Sequence, residues 1–250
     1  MLPKSIYIKK LKGKGPLNFI LIHNAGGCHK MFTHQIEMLL KYGTVVLLDL
    51  PGHGESPAVK ENSIEESSEL IYNIYKHYSL DNLFLIGLNN GANIALNTLH
   101  SFNIPANGLV LIDPPLFMKK DFVAEIETFI LTLKADSYKD FIHSMVTKLL
   151  AKSEQKNIDI AFQAFMKVDK TSLQEIFQSL IAWDKKAKSI LSSIDIPSLC
   201  ILTDEHHCTF AKVKKIAPEF MLGKVIASKC WATLEVPTQV NAMIESFLII

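Results

Sequence analysis

The segment from residue 83 to residue 92 combines an apolar stretch, a turn rich in small residues and the start of a helical stretch. Residues 83–86 are apolar, and they lead into a Gly-x-Asn-x-Gly turn that runs from Gly87 to Gly91. Small residues at both ends let a strand pass closely into a helix, which lifts the middle side chain above the sheet. That side chain is the amide of Asn89, which is neutral and a poor nucleophile. The turn therefore predicts a position that forms hydrogen bonds but does not attack a substrate.

Two further segments carry motifs of the same kind. Residues 21–27 read Leu-Ile-His-Asn-Ala-Gly-Gly, and residues 49–56 read Asp-Leu-Pro-Gly-His-Gly-Glu-Ser. With the turn at Asn89, in this order and spacing, they resemble the His-Gly loop, the Asp-x-Pro-Gly-His-Gly-x-Ser turn and the Gly-x-Ser-x-Gly nucleophile elbow of α/β-hydrolases. The resemblance extends from about residue 17 to the C-terminus. It implies an α/β fold in which a mostly parallel central sheet is flanked by helices and carries a helical cap insertion.

The same resemblance places other residue types where the family keeps its serine, acid and histidine. Asn89 stands at the nucleophile position. In the family, the acid follows a strand that begins with Pro and ends in a Gly-x-x-Asp pattern. Counted from Pro197, that acid position falls on His206 here. The family's histidine precedes a Leu-Glu-x-Pro stretch, which is residues 234–237 here and puts Cys230 at that position. Serine-type hydrolysis needs a nucleophile, a base and an orienting acid, so the resemblance implies that these three residues are not such a triad.

The ligand-binding part of the family's site depends less on these side chains. By resemblance, an oxyanion hole would be built from the backbone N–H groups of Ala25 and Asn90. The helix that starts near Gly91 would direct its positive end toward the pocket. Aromatic and methionine side chains of the inserted helices would supply apolar walls. We therefore interpret the chain as a member of this family that binds a small apolar or acyl-like ligand without serine-type hydrolysis.

Two other functions stay open at this point. Asn, His and Cys are the residue types of papain-like sites. Cys230 would then be a nucleophile with His206 as its base and Asn89 as a hydrogen-bonding neighbour, in a hydrolase or acyltransferase that acts on an ester, thioester or amide. Against this hypothesis, a lone cysteine is usually an inert packed residue. The other function is a protein-interaction module that uses the inserted helices, for which the sequence marks no exposed apolar patch.

Other titratable residues are interpreted as structural. Residues 204–207, Asp-Glu-His-His, are metal-ligand types, but neighbouring residues on one turn do not all converge on an ion, so we predict no metal site. His23 and His53 belong to the loop motifs and are expected to bond loop backbone. Asp113 follows an apolar run, where a displaced acid would fit, although ordering of the next loop is the favoured interpretation. We expect no cofactor.

The elements that position these residues follow from hydrophobic periodicity. Short apolar runs alternate with longer amphipathic stretches, which is typical of βαβ units and a mostly parallel sheet. Between residues 118 and 190 the alternation gives way to roughly four helices of period 3.6. We predict one domain over residues 1–250, with its core at 1–117 and 191–250 and the helical cap insertion at 118–190. The predicted strands are 5–9, 17–23, 44–50, 83–87, 108–113, 198–203 and 224–227, and the predicted core helices are 29–41, 63–78, 91–102, 210–217 and 236–247.

Composition limits the class of partner and the compartment. The 250 residues include 26 Lys and Arg and 25 Asp and Glu, a net charge of +1, so no charge excess favours nucleic acid or an anionic membrane. Four cysteines without CxxC spacing favour a reducing compartment. The N-terminal residues lack an apolar signal region, and the apolar runs stop short of the ~20 residues that a membrane span needs. We expect a cytoplasmic protein whose partner is a small molecule.

Overall fold

A seven-stranded sheet forms the centre of the computed structural model, which describes residues 5–150, 153–204 and 208–249. The strand order is β1-β3-β2-β4-β5-β6-β7, and every pair is parallel except β1 with β3. The predicted α/β class with a mostly parallel sheet is confirmed. The strands are β1 (Ile8–Leu11), β2 (Leu17–Ile22), β3 (Gly43–Leu48), β4 (Leu83–Leu88), β5 (Ala106–Ile112), β6 (Ser198–Leu202) and β7 (Met221–Lys224).

Helices cover both faces of this sheet, and five of them lie between β5 and β6, where the sequence predicts an insertion. All six residues of β4 are buried, as expected for a parallel strand with helices on both sides. Among the described residues, no helix is both long and apolar enough to span a membrane. The helices are α1 (Ile36–Tyr42), α2 (Ile64–Tyr78), α3 (Asn90–Ser101), α4 (Lys120–Thr132), α5 (Tyr138–Leu149), α6 (Gln155–Lys167), α7 (Lys170–Asp184), α8 (Ala187–Ser192), α9 (Phe210–Ile216), α10 (Ala232–Glu235) and α11 (Pro237–Leu248).

The predicted elements differ from the structure mainly at the edges of the sheet. The strand predicted at 5–9 is Ile8–Leu11, and the one predicted at 224–227 is Met221–Lys224. Neither edge strand has a buried position: β1 is exposed at its two middle residues and β7 at its two ends. Neither therefore carries the continuous apolar signal of a central strand. The helix predicted at 29–41 is also wrong in its first half: a 3-10 turn at His29–Phe32 precedes α1.

Polar contacts fix α6 and α7 to segments that follow the strands of the sheet. The Asp184 carboxylate, at the end of α7, accepts the backbone N–H groups of residues 117 and 118 at 2.7 and 2.9 Å. The side chain of Asn157, in α6, donates to the Leu234 carbonyl oxygen at 2.8 Å. These contacts hold α6 and α7 over the carboxyl ends of the strands, where ligands bind in open α/β sheets.

Candidate functional site

The turn at Asn89 joins β4 to α3, and two glycines make it tight. A Cβ atom on Gly87 would overlap the Ala92 backbone, and one on Gly91 would overlap the Ile22 carbonyl oxygen. Asn89 itself has φ 52° and ψ −122°, which is a strained conformation for a residue other than glycine. The strand-turn-helix arrangement predicted from the Gly-x-Asn-x-Gly pattern is confirmed.

The amide of Asn89 is surrounded by oxygen acceptors. Its Nδ2 lies 3.2 Å from the Cys230 carbonyl oxygen, 3.3 Å from the Asp113 carbonyl oxygen and 3.4 Å from the Asp113 Oδ2. The structure therefore brings Asn89 and Cys230 together, as the sequence predicts for two positions of one site. His206, the third residue of that prediction, lies outside the described residues.

Asp113 is a buried acid at the carboxyl end of β5, directly beside the elbow. It is fully buried and has φ 48°, a left-handed conformation that Asp tolerates better than most residues. Burial raises the pKa of its carboxyl group to about 7, although hydrogen bonding by Thr203 and Asn89 lowers it in part. Asp113 is thus an acid that titrates near neutral pH and contacts the elbow amide.

The loop that carries Cys230 is held by one carboxylate. Glu235 Oε1 accepts the backbone N–H groups of Cys230 at 3.1 Å and Trp231 at 2.7 Å, and Glu235 Oε2 accepts that of Lys229 at 3.0 Å. The Ser228 hydroxyl adds a bond of 3.1 Å to Oε1. Hydrogen bonds to an ionised acceptor are stronger than neutral ones, so Glu235 sets the position of Cys230.

Glu235→Gln is expected to lower the free energy of unfolding by about 2 kcal/mol, because glutamine has a single acceptor oxygen for this set of donors. Urea unfolding followed by circular dichroism measures the loss. Glu245→Gln is the matched control, since Glu245 accepts one bond of 3.3 Å from the Tyr42 hydroxyl. Equal losses in the two variants would contradict the role assigned to Glu235.

A cavity of about 390 Å³ opens beside the elbow. Its walls are mostly apolar and come from α4 to α7 of the insertion and from Trp231. The aromatic rings in the lining contact one another. The Phe129 ring centroid lies 5.4 Å from that of Phe177 and 6.5 Å from that of Phe165, and the Phe165 ring is 5.9 Å from that of Trp231. The lining residues are Asn24, Ala25, Asn89, Asn90, Pro115, Phe122, Glu125, Ile126, Phe129, Phe141, Met145, Phe165, Phe177, Leu180, Cys230 and Trp231.

Ala25 and Asn90 both line this cavity, but their hydrogen bonding differs from the oxyanion hole that the resemblance implies. The Ala25 N–H donates to the side-chain Oδ1 of Asn90. The resemblance implies backbone donors at both residues, whereas in the structure the Asn90 side chain folds back onto the loop and accepts one of those donors. Asn24 supports the same loop, because its Nδ2 donates to the Ala25 carbonyl oxygen at 2.9 Å.

His23 and His53 bond loop backbone, as predicted. The Nε2 atom of His23 accepts the Leu50 N–H at 2.9 Å, and burial lowers the pKa of His23 to about 3. His53 Nδ1 donates to the Pro51 carbonyl oxygen at 2.9 Å, and burial lowers its pKa as well. Both rings are therefore neutral and structural.

Cys28, His29 and Asp49 form a cluster that the sequence motifs do not indicate, and their possible ligand atoms lie within 4.8 Å of one another. The Asp49 carboxylate accepts the His29 N–H at 2.6 Å, the Glu55 N–H at 2.9 Å and the His29 ring Nδ1–H at 2.9 Å. Burial raises the pKa of the Cys28 thiol to about 11, which disfavours the thiolate form that binds metals. We assign the cluster to fixing two loops of the site.

Comparisons with known proteins agree with the observed fold. The sequence matches the alpha/beta hydrolase fold family over residues 18–214. A pimeloyl-[acyl-carrier protein] methyl ester esterase of Wigglesworthia glossinidia brevipalpis is 29% identical over 140 residues, which cover 56% of this chain and 52% of that protein. The dihydrolipoyllysine-residue acetyltransferase component of an acetoin cleaving system in Pseudomonas putida is 32% identical over 89 residues, which cover 35% of this chain and 24% of that protein.

The chain thus spans about half, or less, of the length of these two curated relatives. Among solved structures, a carboxylesterase of Nitrososphaera gargenis superimposes with a TM-score of 0.86 at 16% identity, covering 100% of this chain and 97% of that one. At this identity the likeness shows the fold alone. With the family match over most of the chain, the strand order and the elbow at Asn89, it follows that the protein belongs to the α/β-hydrolase fold family.

Proposed function

We propose that this protein binds a small apolar or acyl-like ligand in the cavity beside Asn89 and does not perform serine-type hydrolysis. The observation that carries the proposal is the bonding of the elbow amide to the Cys230 carbonyl and to Asp113. A serine-type nucleophile needs an ionisable hydroxyl and a base beside it. The elbow of this chain carries a neutral amide that donates hydrogen bonds to neighbouring acceptors. This amide holds together the backbone segments beside the cavity.

The cavity itself supports a binding role. Its volume of about 390 Å³ lies within the range of small-molecule sites, which are mostly apolar with a few polar groups at one end. Here phenylalanine rings form the walls, and the polar groups of Asn24, Asn89 and Asn90 lie together in the lining. This division fits a ligand with a hydrophobic body and one polar end.

The alternative is an enzyme that acts on an ester, thioester or amide through Cys230 and His206. The esterase name of one relative and the position of Cys230 in the cavity lining favour it. We favour binding because the Asn90 side chain already accepts the Ala25 N–H. That N–H is therefore not available as an oxyanion-hole donor. Loss of one oxyanion-hole donor costs roughly a hundredfold to a thousandfold in rate.

Hydrolysis of p-nitrophenyl acetate and butyrate tests the proposal. The wild-type protein is expected to release p-nitrophenol without saturation, at the rate of an unrelated protein with the same exposed surface area. Cys230→Ala is expected to leave that rate unchanged. Saturable turnover that disappears in Cys230→Ala would overturn the binding proposal in favour of the Cys230 enzyme.

Asn89→Ser adds the missing hydroxyl and is expected to give no esterase activity. Cys230, at the position of the family's histidine, lacks the basicity of an imidazole, and the Ala25 donor stays occupied. The same chromogenic esters measure the outcome. Asn107→Ser is the control, because Asn107 is exposed and lies at the end of β5 that is remote from Asp113. Saturable esterase activity in Asn89→Ser alone would show that another residue serves as base.

A further inference from the structure

A second cavity, of about 490 Å³, adjoins the one beside the elbow. The two cavities share Glu125 and Phe129 of α4 and Phe141 of α5 in their linings. Asn89 lines only the first cavity, so the shared residues mark the end of that cavity that is remote from the elbow. Glu125 is exposed, and Phe141 is 41% exposed. A ligand in the first cavity would therefore meet these residues at its outer, solvent-facing end.

The charged groups at this outer end are all acidic. Asp121 and Glu125 lie one helical turn apart on α4 and line the second cavity. Among the described residues, neither carboxylate forms an ion pair, and no Lys, Arg or His lines either cavity. Between residues 119 and 150, by contrast, five lysines balance five acidic residues. The negative charge is therefore a property of the cavity lining and not of the two helices as a whole.

Two aromatic rings stand beside these carboxylates. Phe129 follows Glu125 by one helical turn and so lies on the same face of α4. The ring centroid of Phe141, on α5, is 6.0 Å from that of Phe129. The face of an aromatic ring attracts a cation through its quadrupole, and a carboxylate attracts a cation through its charge. Both kinds of group at the outer end thus favour the same partner, a positively charged one.

We propose that the ligand is a cationic amphiphile, such as an arylalkylamine or an acyl compound that bears an amine. Its hydrocarbon body would fill the apolar cavity, and its ammonium group would lie at the outer end beside Asp121, Glu125 and the two rings. This inference rests on the proposed binding function and names the ligand class for the same cavity. The two carboxylates determine specificity here, because they attract a cation, leave a neutral ligand unaffected and repel an anion.

Displacement of the neutral dye Nile red at low ionic strength by three matched compounds tests the inference: 4-phenylbutylamine, 4-phenylbutan-1-ol and 4-phenylbutyrate. The amine is expected to bind about tenfold more tightly than the alcohol, the combined effect of an exposed ion pair and a cation–π contact. The butyrate is expected to bind more weakly than the alcohol. If Nile red binds and the amine has no advantage over the alcohol, the inference is overturned and the proposed function stands. If neither the dye nor any of the three compounds binds, both are overturned.

Glu125→Gln is the decisive variant, because it removes the charge shared by both cavities and nearly keeps the side-chain shape. The ratio of amine to alcohol affinity is expected to fall to about threefold or less in it. The ratio is expected to stay near tenfold in Glu127→Gln, which removes the same charge from an exposed position of α4 outside both linings. Addition of about 0.5 M NaCl to the wild-type protein should also lower the ratio, because salt screens exposed charges. Equal ratios in the two variants would overturn the inference.

Discussion

Gly91→Ala is expected to lower the free energy of unfolding by about 3 kcal/mol. The new Cβ would overlap the carbonyl oxygens of Ile22 and His23, which are backbone atoms at the end of β2. They cannot move without displacing a central strand. The helix propensity of alanine, which exceeds that of glycine by about 1 kcal/mol, offsets only part of this cost. The variant would also widen the elbow and so weaken ligand binding.

Gly223→Ala is the matched control for this prediction. Its added Cβ would meet the Met243 Sδ at 2.7 Å, which is part of a flexible side chain that can shift. We expect a loss below about 1 kcal/mol in this variant. Urea unfolding of both proteins gives the comparison. A Gly91→Ala protein as stable as Gly223→Ala would mean that α3 does not pack on β2 as closely as described.

The buried acid beside the elbow is expected to make stability depend on pH. The pKa of Asp113 is about 7 in the folded chain against an ordinary value of 3.8, so between these values the folded state holds a proton that the unfolded state has released. The stabilisation is complete below about pH 4 and is lost as the pH rises through about 7, with a magnitude of roughly 4 kcal/mol at most.

Asp113→Asn isolates this contribution, because asparagine has nearly the same shape and does not ionise. Unfolding free energies of both proteins are measured in urea at several pH values from 4 to 8. The difference, wild type minus Asp113→Asn, is expected to fall as the pH rises and to level off above about 7. Parallel stability curves would show that Asp113 has an ordinary pKa.

Much of the fold was predictable from local sequence. The central strands β2 and β4 are apolar at nearly every position, and a continuous apolar run is the signature of a strand covered on both faces. The start of α2 was equally readable, since Ser63 and Glu66 form the reciprocal capping box that their spacing indicates. The edge strands have no such signal, because one side of their environment is solvent.

The site was predictable only in its backbone geometry. Gly87 and Gly91 reveal the elbow because no other residue type fits. The fold-back of Asn90 onto the Ala25 N–H, by contrast, joins positions 65 residues apart. It depends on a side-chain rotamer that sequence periodicity does not encode. The carboxylate of Glu235 was noted only as part of a motif, and its contacts with the Cys230 loop required the structure.

Native mass spectrometry of the wild-type protein incubated with p-nitrophenyl butyrate tests the central claim most directly, because binding and acyl transfer give different masses. Binding without hydrolysis predicts a complex with the mass of the protein plus the intact ester, which dissociates completely when the sample is denatured. A butyryl adduct that survives denaturation and is absent from Cys230→Ala would contradict the account.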